Sequence, residues 1–127
     1  AINSYICENC NFMKGTNLGE FEELLLLVVA SLYPEAYGLA IREEIKESSG
    51  RSVAMGAIHA ALNRLEEKEY LKSELAEATH ERGGRRKRLF TLTAAGKEAL
   101  EQNRSLRNNL WDKIPQLSWK NVQYGSL

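Results

Sequence analysis

The chain predicts a mostly α-helical fold with one small β-hairpin, and three observations carry that prediction. Apolar residues recur at helical spacing through most of its 127 residues, and good helix formers abound against only two prolines. The period changes once, late in the chain: Leu71, Ser73 and Leu75 alternate, and so do Arg88, Phe90 and Leu92. Between these alternations, Gly83 and Gly84 run directly into Arg85, Arg86, Lys87 and Arg88, the pattern of a charged hairpin tip.

The elements follow in order. Asn17 with Glu20 three residues on predicts a capping box. Leu18, Phe21, Leu25, Val28, Val29 and Leu32 then recur at helical spacing, while Leu24, Leu26 and Leu27 fill the other faces. A helix apolar nearly all round is buried on more than one side. In so small a chain, one of those sides suits a second subunit. Tyr33-Pro34 ends this helix.

A second helix spans Tyr37 to Ser49, with Leu39, Ile41 and Ile45 inward and Arg42, Glu43, Lys46 and Glu47 solvated. Gly50 is placed for a left-handed cap. A third runs from Val53 to Lys68, burying Ile58, Ala61, Leu62 and Leu65 and presenting Met55, His59, Asn63 and Glu67 opposite. Ala54, Gly56, Ala57 and Ala60 near its start would allow close approach to another surface. After the two strands and a tip from Glu77 to Gly84, Thr93 caps a last helix from Ala94 to about Lys113. On it Ala99, Leu106, Leu110 and Leu117 trace a narrow seam, with Asn103 inside it. Such a seam with one polar interruption predicts pairing with another helix in a fixed register.

This length holds one domain with an appended helix. Residues 1–16 are expected to be a disordered or non-native leader, because Met13-Lys14-Gly15 looks like a natural start. Residues 17–92 form the body, 93–117 a dimerisation helix and 118–127 a tail. Net charge is zero but polarised: residues 17–50 carry seven acids and two bases, whereas 82–88 carry five bases and no acid. The longest apolar run, Leu24 to Ala30, is too short for a bilayer, and no secretory signal is evident, so the expected compartment is the cytoplasm. Cys7 and Cys10 form one C-x-x-C, but the two histidines, His59 and His80, lie far along the chain, and no βαβ context supports a redox pair. No metal and no cofactor are expected. No nucleophilic triad or phosphate loop is present in the sequence, so an enzyme is not expected either.

Two helices joined by the short turn from Ser49 to Ser52, followed by a basic hairpin, predict a winged helix-turn-helix. The third helix would enter the major groove and the hairpin would lie on the backbone. His59 and Asn63 stand one turn apart on the exposed face, where asparagine can bond bidentately to adenine. Ser52, Met55 and Ala57 complete the start of that face. Arg64 is placed either for a phosphate or for an ion pair with Glu67 or Glu43, and the Tyr37 hydroxyl either for a phosphate or for packing. Arg85, Arg86, Lys87 and Arg88 are expected to meet phosphate; Arg86 and Arg88 share a strand face with Phe90, Arg85 and Lys87 the other.

The segments AYGLAIREEI, MGAIHAALNRLEEKEYL and GGRRKRLFTLTAAGKEAL, in this order and spacing, resemble the PadR-like transcriptional regulators, over about Leu18 to Leu110. The resemblance implies a winged-helix domain, a homodimer held by the last helix and the first, and operator-DNA binding. Many members repress transport or stress genes, and some release DNA when a small molecule binds. Several positions depart from the family pattern. Ala54 stands where a capping Ser or Thr is frequent, with Ser52 as a substitute if the helix starts earlier. His59 stands where many relatives carry Tyr. Lys68-Glu69 replaces an X-Gly pair, so a left-handed Glu69 would be strained. Arg107 occupies the place of a drug-stacking Trp, with Trp111 one turn later; this gives no support to a flat aromatic drug site.

The expected interface comprises Phe21, Leu25 and Val28 on the first helix with Ala99, Asn103, Leu106, Leu110 and Trp111 on the last. Trp111 fits interface packing or, alternatively, a ligand-stacking role. The chain is thus expected to be a dimeric, DNA-binding repressor, open to a small hydrophobic effector if a cavity lies between subunits. The alternative is a winged-helix module for protein–protein contact with no operator of its own.

Overall fold

A computed structural model describes residues 18–77 and 87–115. The expected leader with Cys7 and Cys10, the tip residues Arg85 and Arg86, and the tail from Gln116, including Leu117, lie outside the described residues. The order is α1 (Glu20–Leu32), α2 (Gly38–Ser49), α3 (Met55–Glu67), β1 (Leu71–Leu75), β2 (Arg88–Leu92) and α4 (Ala94–Asp112). This is the winged helix-turn-helix with a long C-terminal helix that the sequence predicts.

α1 starts later than the Asn17–Glu20 box would have it. Gly19 is the N-cap, and its N–H donates to the Glu22 carboxylate at 3.1 Å. Glu20 instead turns outward to Arg51, 2.6 Å away. Leu25, Leu26, Val28 and Val29 are buried, while Leu27 is half exposed. α2 buries Ile41 and Ile45, but Leu39 faces solvent, because residues two apart on a helix do not share a face. Gly50 ends the helix at φ +76°, its N–H bonded to Lys46 O at 2.8 Å, as the left-handed cap requires.

α3 buries the predicted stripe of Ile58, Ala61, Leu62 and Leu65 completely. It begins at Met55 rather than Val53, and Val53 packs against the core instead. Because the helix starts at Met55, Ala54 and not Ser52 is its N-cap, and there is no side-chain cap bond there. Beyond its end Glu69 is left-handed at φ +65°, a conformation costing about 1–2 kcal/mol for a residue with a Cβ.

The strands pair antiparallel from Leu71↔Leu92 to Leu75↔Arg88. Phe90 points into the helical core, and its N–H donates to Ala36 O at 2.8 Å, tying the wing to the loop between α1 and α2. Thr93 then caps α4: its Oγ1 accepts from the Gly96 N–H at 3.0 Å and its hydroxyl donates to Glu69 O at 2.7 Å. Gly96 lies directly on the chain at Tyr70, where a Cβ would stand 2.3 Å from the Tyr70 carbonyl oxygen. Ala99 is fully buried, whereas further along α4 Leu106, Leu110 and Trp111 are 59%, 54% and 64% exposed. Among the described residues, no helix is long and apolar enough to cross a membrane.

Candidate nucleic-acid interface

The side of α3 opposite its buried stripe exposes Ala57, His59 and Asn63, with Ser52 exposed just before the helix. Met55 departs from the expectation of an open position: it is half buried and packs against the core. The cause is Gly38, the first residue of α2. A Cβ there would lie 3.0 Å from Met55 Cε and 3.2 Å from His59 Cε1, so α2 begins in contact with the first turns of α3. Tyr37, just before it, carries the Lys87 ammonium 4.4 Å from its ring centroid. Such a cation–π contact is worth about 0.5–1 kcal/mol at an exposed site. The start of α2, the first turns of α3 and the base of the wing therefore converge, and they bring Tyr37, Met55, His59 and Lys87 together.

Two of the arginines expected near phosphate are held inside this frame. Arg64 Nε lies 3.7 Å from Glu22 Oε2, so its acidic neighbour is neither Glu67 nor Glu43. Arg88 donates to Glu66 through one terminal nitrogen and to Ser73 Oγ through Nε at 3.0 Å. Its guanidinium also lies 5.1 Å over the Phe90 ring.

Glu22 organises the far end of α3. Its carboxylate accepts from Lys68 Nζ at 3.1 Å to both oxygens, as well as from the Gly19 N–H. Burial pushes the Glu22 carboxyl up, but the Gly19 amide, the Lys68 ammonium and the Arg64 guanidinium outweigh it and hold the group below the usual carboxylate range. Burial raises the Tyr70 hydroxyl, and the Glu22 charge raises it further. Among the described residues, no cluster of three or more His, Cys, Asp and Glu could hold a metal ion.

A family model described as the transcriptional regulator PadR-like family matches residues 25–102. The chain belongs to this family. PadR-like proteins are transcriptional regulators, not enzymes. Among solved structures, the chain resembles a PadR-like transcription factor from Bacteroides fragilis, with 22% identity and a TM-score of 0.65 over 84% of this chain and 95% of that one. A PadR family regulator from Clostridium difficile matches with 25% identity and a TM-score of 0.59, over 75% of this chain and 96% of that one. Bacillus subtilis PadR, solved in complex with operator DNA, matches with 21% identity and a TM-score of 0.55, over 65% of this chain and 46% of that one. No curated protein sequence matches the chain.

The surface expected to pair two PadR-like chains is only partly available. Leu25, Val28 and Ala99 are already buried within the single chain, so they have no face left for a partner. Phe21 and Asn103 are half buried, and Leu106, Leu110 and Trp111 are exposed. Between α1 and α4 runs a groove of about 520 Å³, floored by Leu27, Ala30, Leu92 and Leu100 and crossed by an Arg107–Glu23 pair at 3.2 Å.

Two features of this PadR-like chain escape a reading by residue type. Glu22 is a charged residue type, yet it shares the spacing of Leu25, Leu26 and Val29, the buried stripe of α1, and is buried with them. That periodicity was the available signal. Arg42, Lys46 and Arg51, with Glu43 and Glu47, line a charged groove of about 690 Å³ beside the start of α3. The one-turn spacing of Arg42 and Lys46 marks a common face, but nothing local places that face beside another helix.

Proposed function

We propose that the chain is a homodimeric repressor that binds operator DNA in the cytoplasm, laying α3 in the major groove and its wing along the backbone. The observation that carries this reading is the convergence of Tyr37, His59 and Lys87, from α2, α3 and the wing, beside the exposed Asn63. His59 and Asn63 are the base readers, with Ser52, Ala57 and Met55 at the start of the same face. Tyr37, Lys87 and the wing arginines Arg85 and Arg86 serve the backbone, and Arg64 adds a phosphate contact when Glu22 yields it. The shared fold of the Bacillus subtilis protein seen with operator DNA supports the reading.

The second copy packs against Leu106, Leu110 and Trp111 and over the groove beside Leu27. A small hydrophobic effector would enter this same groove.

The test is fluorescence anisotropy with the chain's own upstream DNA across a salt series. Affinity should fall steeply with salt, and each phosphate contact removed should flatten the log–log slope by about 0.9. Asn63→Ala should weaken binding and relax base preference at one position, by about 1–3 kcal/mol. Salt-insensitive capture of a protein partner with no DNA footprint would establish the interaction module instead.

A further inference from the structure

We propose that Arg88 is a positioning residue: it locks the wing to the recognition helix through Glu66 and Ser73 instead of contacting phosphate. The assignment rests on the DNA-binding role proposed above and divides the labour within the basic run.

Three elements each contribute one side chain to a closed ring. Arg88 of β2 donates to Glu66 Oε1 of α3 and, through Nε, to Ser73 Oγ of β1 at 3.0 Å. The Ser73 hydroxyl spends its only proton on Glu66 Oε2 at 2.8 Å. Both Glu66 oxygens are thereby engaged by the two wing strands. Arg88 also shares its strand face with Phe90, two residues on, and Phe90 is buried in the core. The guanidinium over the Phe90 ring is therefore directed toward the body, while Lys87, on the opposite strand face, reaches Tyr37.

Geometry makes the ring useful. A two-stranded hairpin is marginally stable alone, so its angle to α3 is set by whatever ties it down. The Phe90 N–H to Ala36 bond anchors the middle of β2, and the Arg88 ring anchors the end nearer the tip. A planar guanidinium with two fixed donors holds that angle better than a flexible ammonium would. Swinging the Arg88 guanidinium away to a phosphate would break both its hydrogen bonds and leave the Glu66 charge facing an anionic duplex with the Ser73 hydroxyl as its remaining partner in the ring.

The two roles predict different salt slopes for Arg88→Ala and opposite signs for Glu66→Gln. If Arg88 positions the wing, Arg88→Ala weakens upstream-DNA binding by about three- to tenfold with an unchanged salt slope. Glu66→Gln also weakens binding, although it removes a negative charge, and the double variant is no weaker than Arg88→Ala alone. A slope flattened by about 0.9 in Arg88→Ala, or tighter binding by Glu66→Gln, would overturn the proposal. Hydrogen exchange on the free protein gives a readout independent of DNA. The Ala76 amide, bonded to Lys87 O at 2.7 Å, should exchange faster in both variants while α1 core amides keep their protection. Unchanged exchange at Ala76 would refute the clamp. Absence of DNA binding by the unaltered protein would refute the functional reading alone, with the exchange data still deciding the clamp.

Discussion

At the residue scale, Glu22 is a carboxylate placed where its helix would ordinarily put a leucine. It is tolerated because a backbone amide and the Lys68 ammonium donate to its oxygens, with the Arg64 guanidinium 3.7 Å away adding its charge, and together these offset the loss of water. Its lowered pKa is also a statement about stability. In the unfolded chain a glutamate takes up its proton near pH 4.3, as ordinary glutamates do, to within about half a unit. In the native state it resists protonation to lower pH. The stability it contributes is thus complete above the unfolded value and is lost as pH falls through the folded one. Glu22→Gln should therefore cost about 1–3 kcal/mol at pH 7, a penalty that shrinks steadily below about pH 4.5. Urea midpoints of both proteins at pH 7, 4.5 and 3 measure it; a gap constant with pH would show that the carboxylate charge contributes nothing.

At the element scale, the two helices most concerned with the site begin differently. α3 lacks a side-chain cap at Ala54, which forgoes about 1 kcal/mol but leaves its first-turn N–H groups unclaimed by a capping side chain. α4 is capped by Thr93 and fixed by Gly96, and here a usual rule reverses. Glycine to alanine inside a helix ordinarily stabilises by about 1 kcal/mol. At Gly96 the new methyl would meet a backbone carbonyl, which cannot swing aside, so Gly96→Ala should destabilise by about 1–3 kcal/mol. Thermal melting measures this, and an unchanged or raised Tm would contradict the packing of α4 on Tyr70. Gly38 contrasts with it, because the atoms crowding it are the far ends of Met55 and His59, which can yield.

At the scale of the whole molecule, α4 divides into a part that belongs to its own chain and a part that projects. Ala99 seals the core, while Leu106 and Leu110 are more than half exposed, more apolar surface than a free helix keeps without cost. If the chain pairs through this part of α4 as proposed, changing both to glutamate should leave the melting profile of the body intact and shift sedimentation from dimer to monomer. A variant that still sediments as a dimer would place the interface elsewhere.

Much of this molecule was legible from its residues. The order and kind of the elements, the α3 stripe, the left-handed Gly50 and the Thr93 cap all followed, because hydrophobic period and capping chemistry act between residues a few positions apart; the left-handed Glu69 was raised only by comparison with the family's X-Gly pair. Partner choice did not follow. Arg88 pairs with Glu66 and Ser73, Arg64 with neither Glu67 nor Glu43 but with Glu22, and Glu22 with Gly19 and Lys68, and residue types alone do not name these partners because most come from elements distant in the chain. The apolar faces of α1 and α4 were visible as well, but a period shows only that a face must be covered. Folding covers Leu25, Val28 and Ala99 from within the chain and leaves Leu106 and Leu110 open, since that division depends on where each helix crosses its neighbours in space.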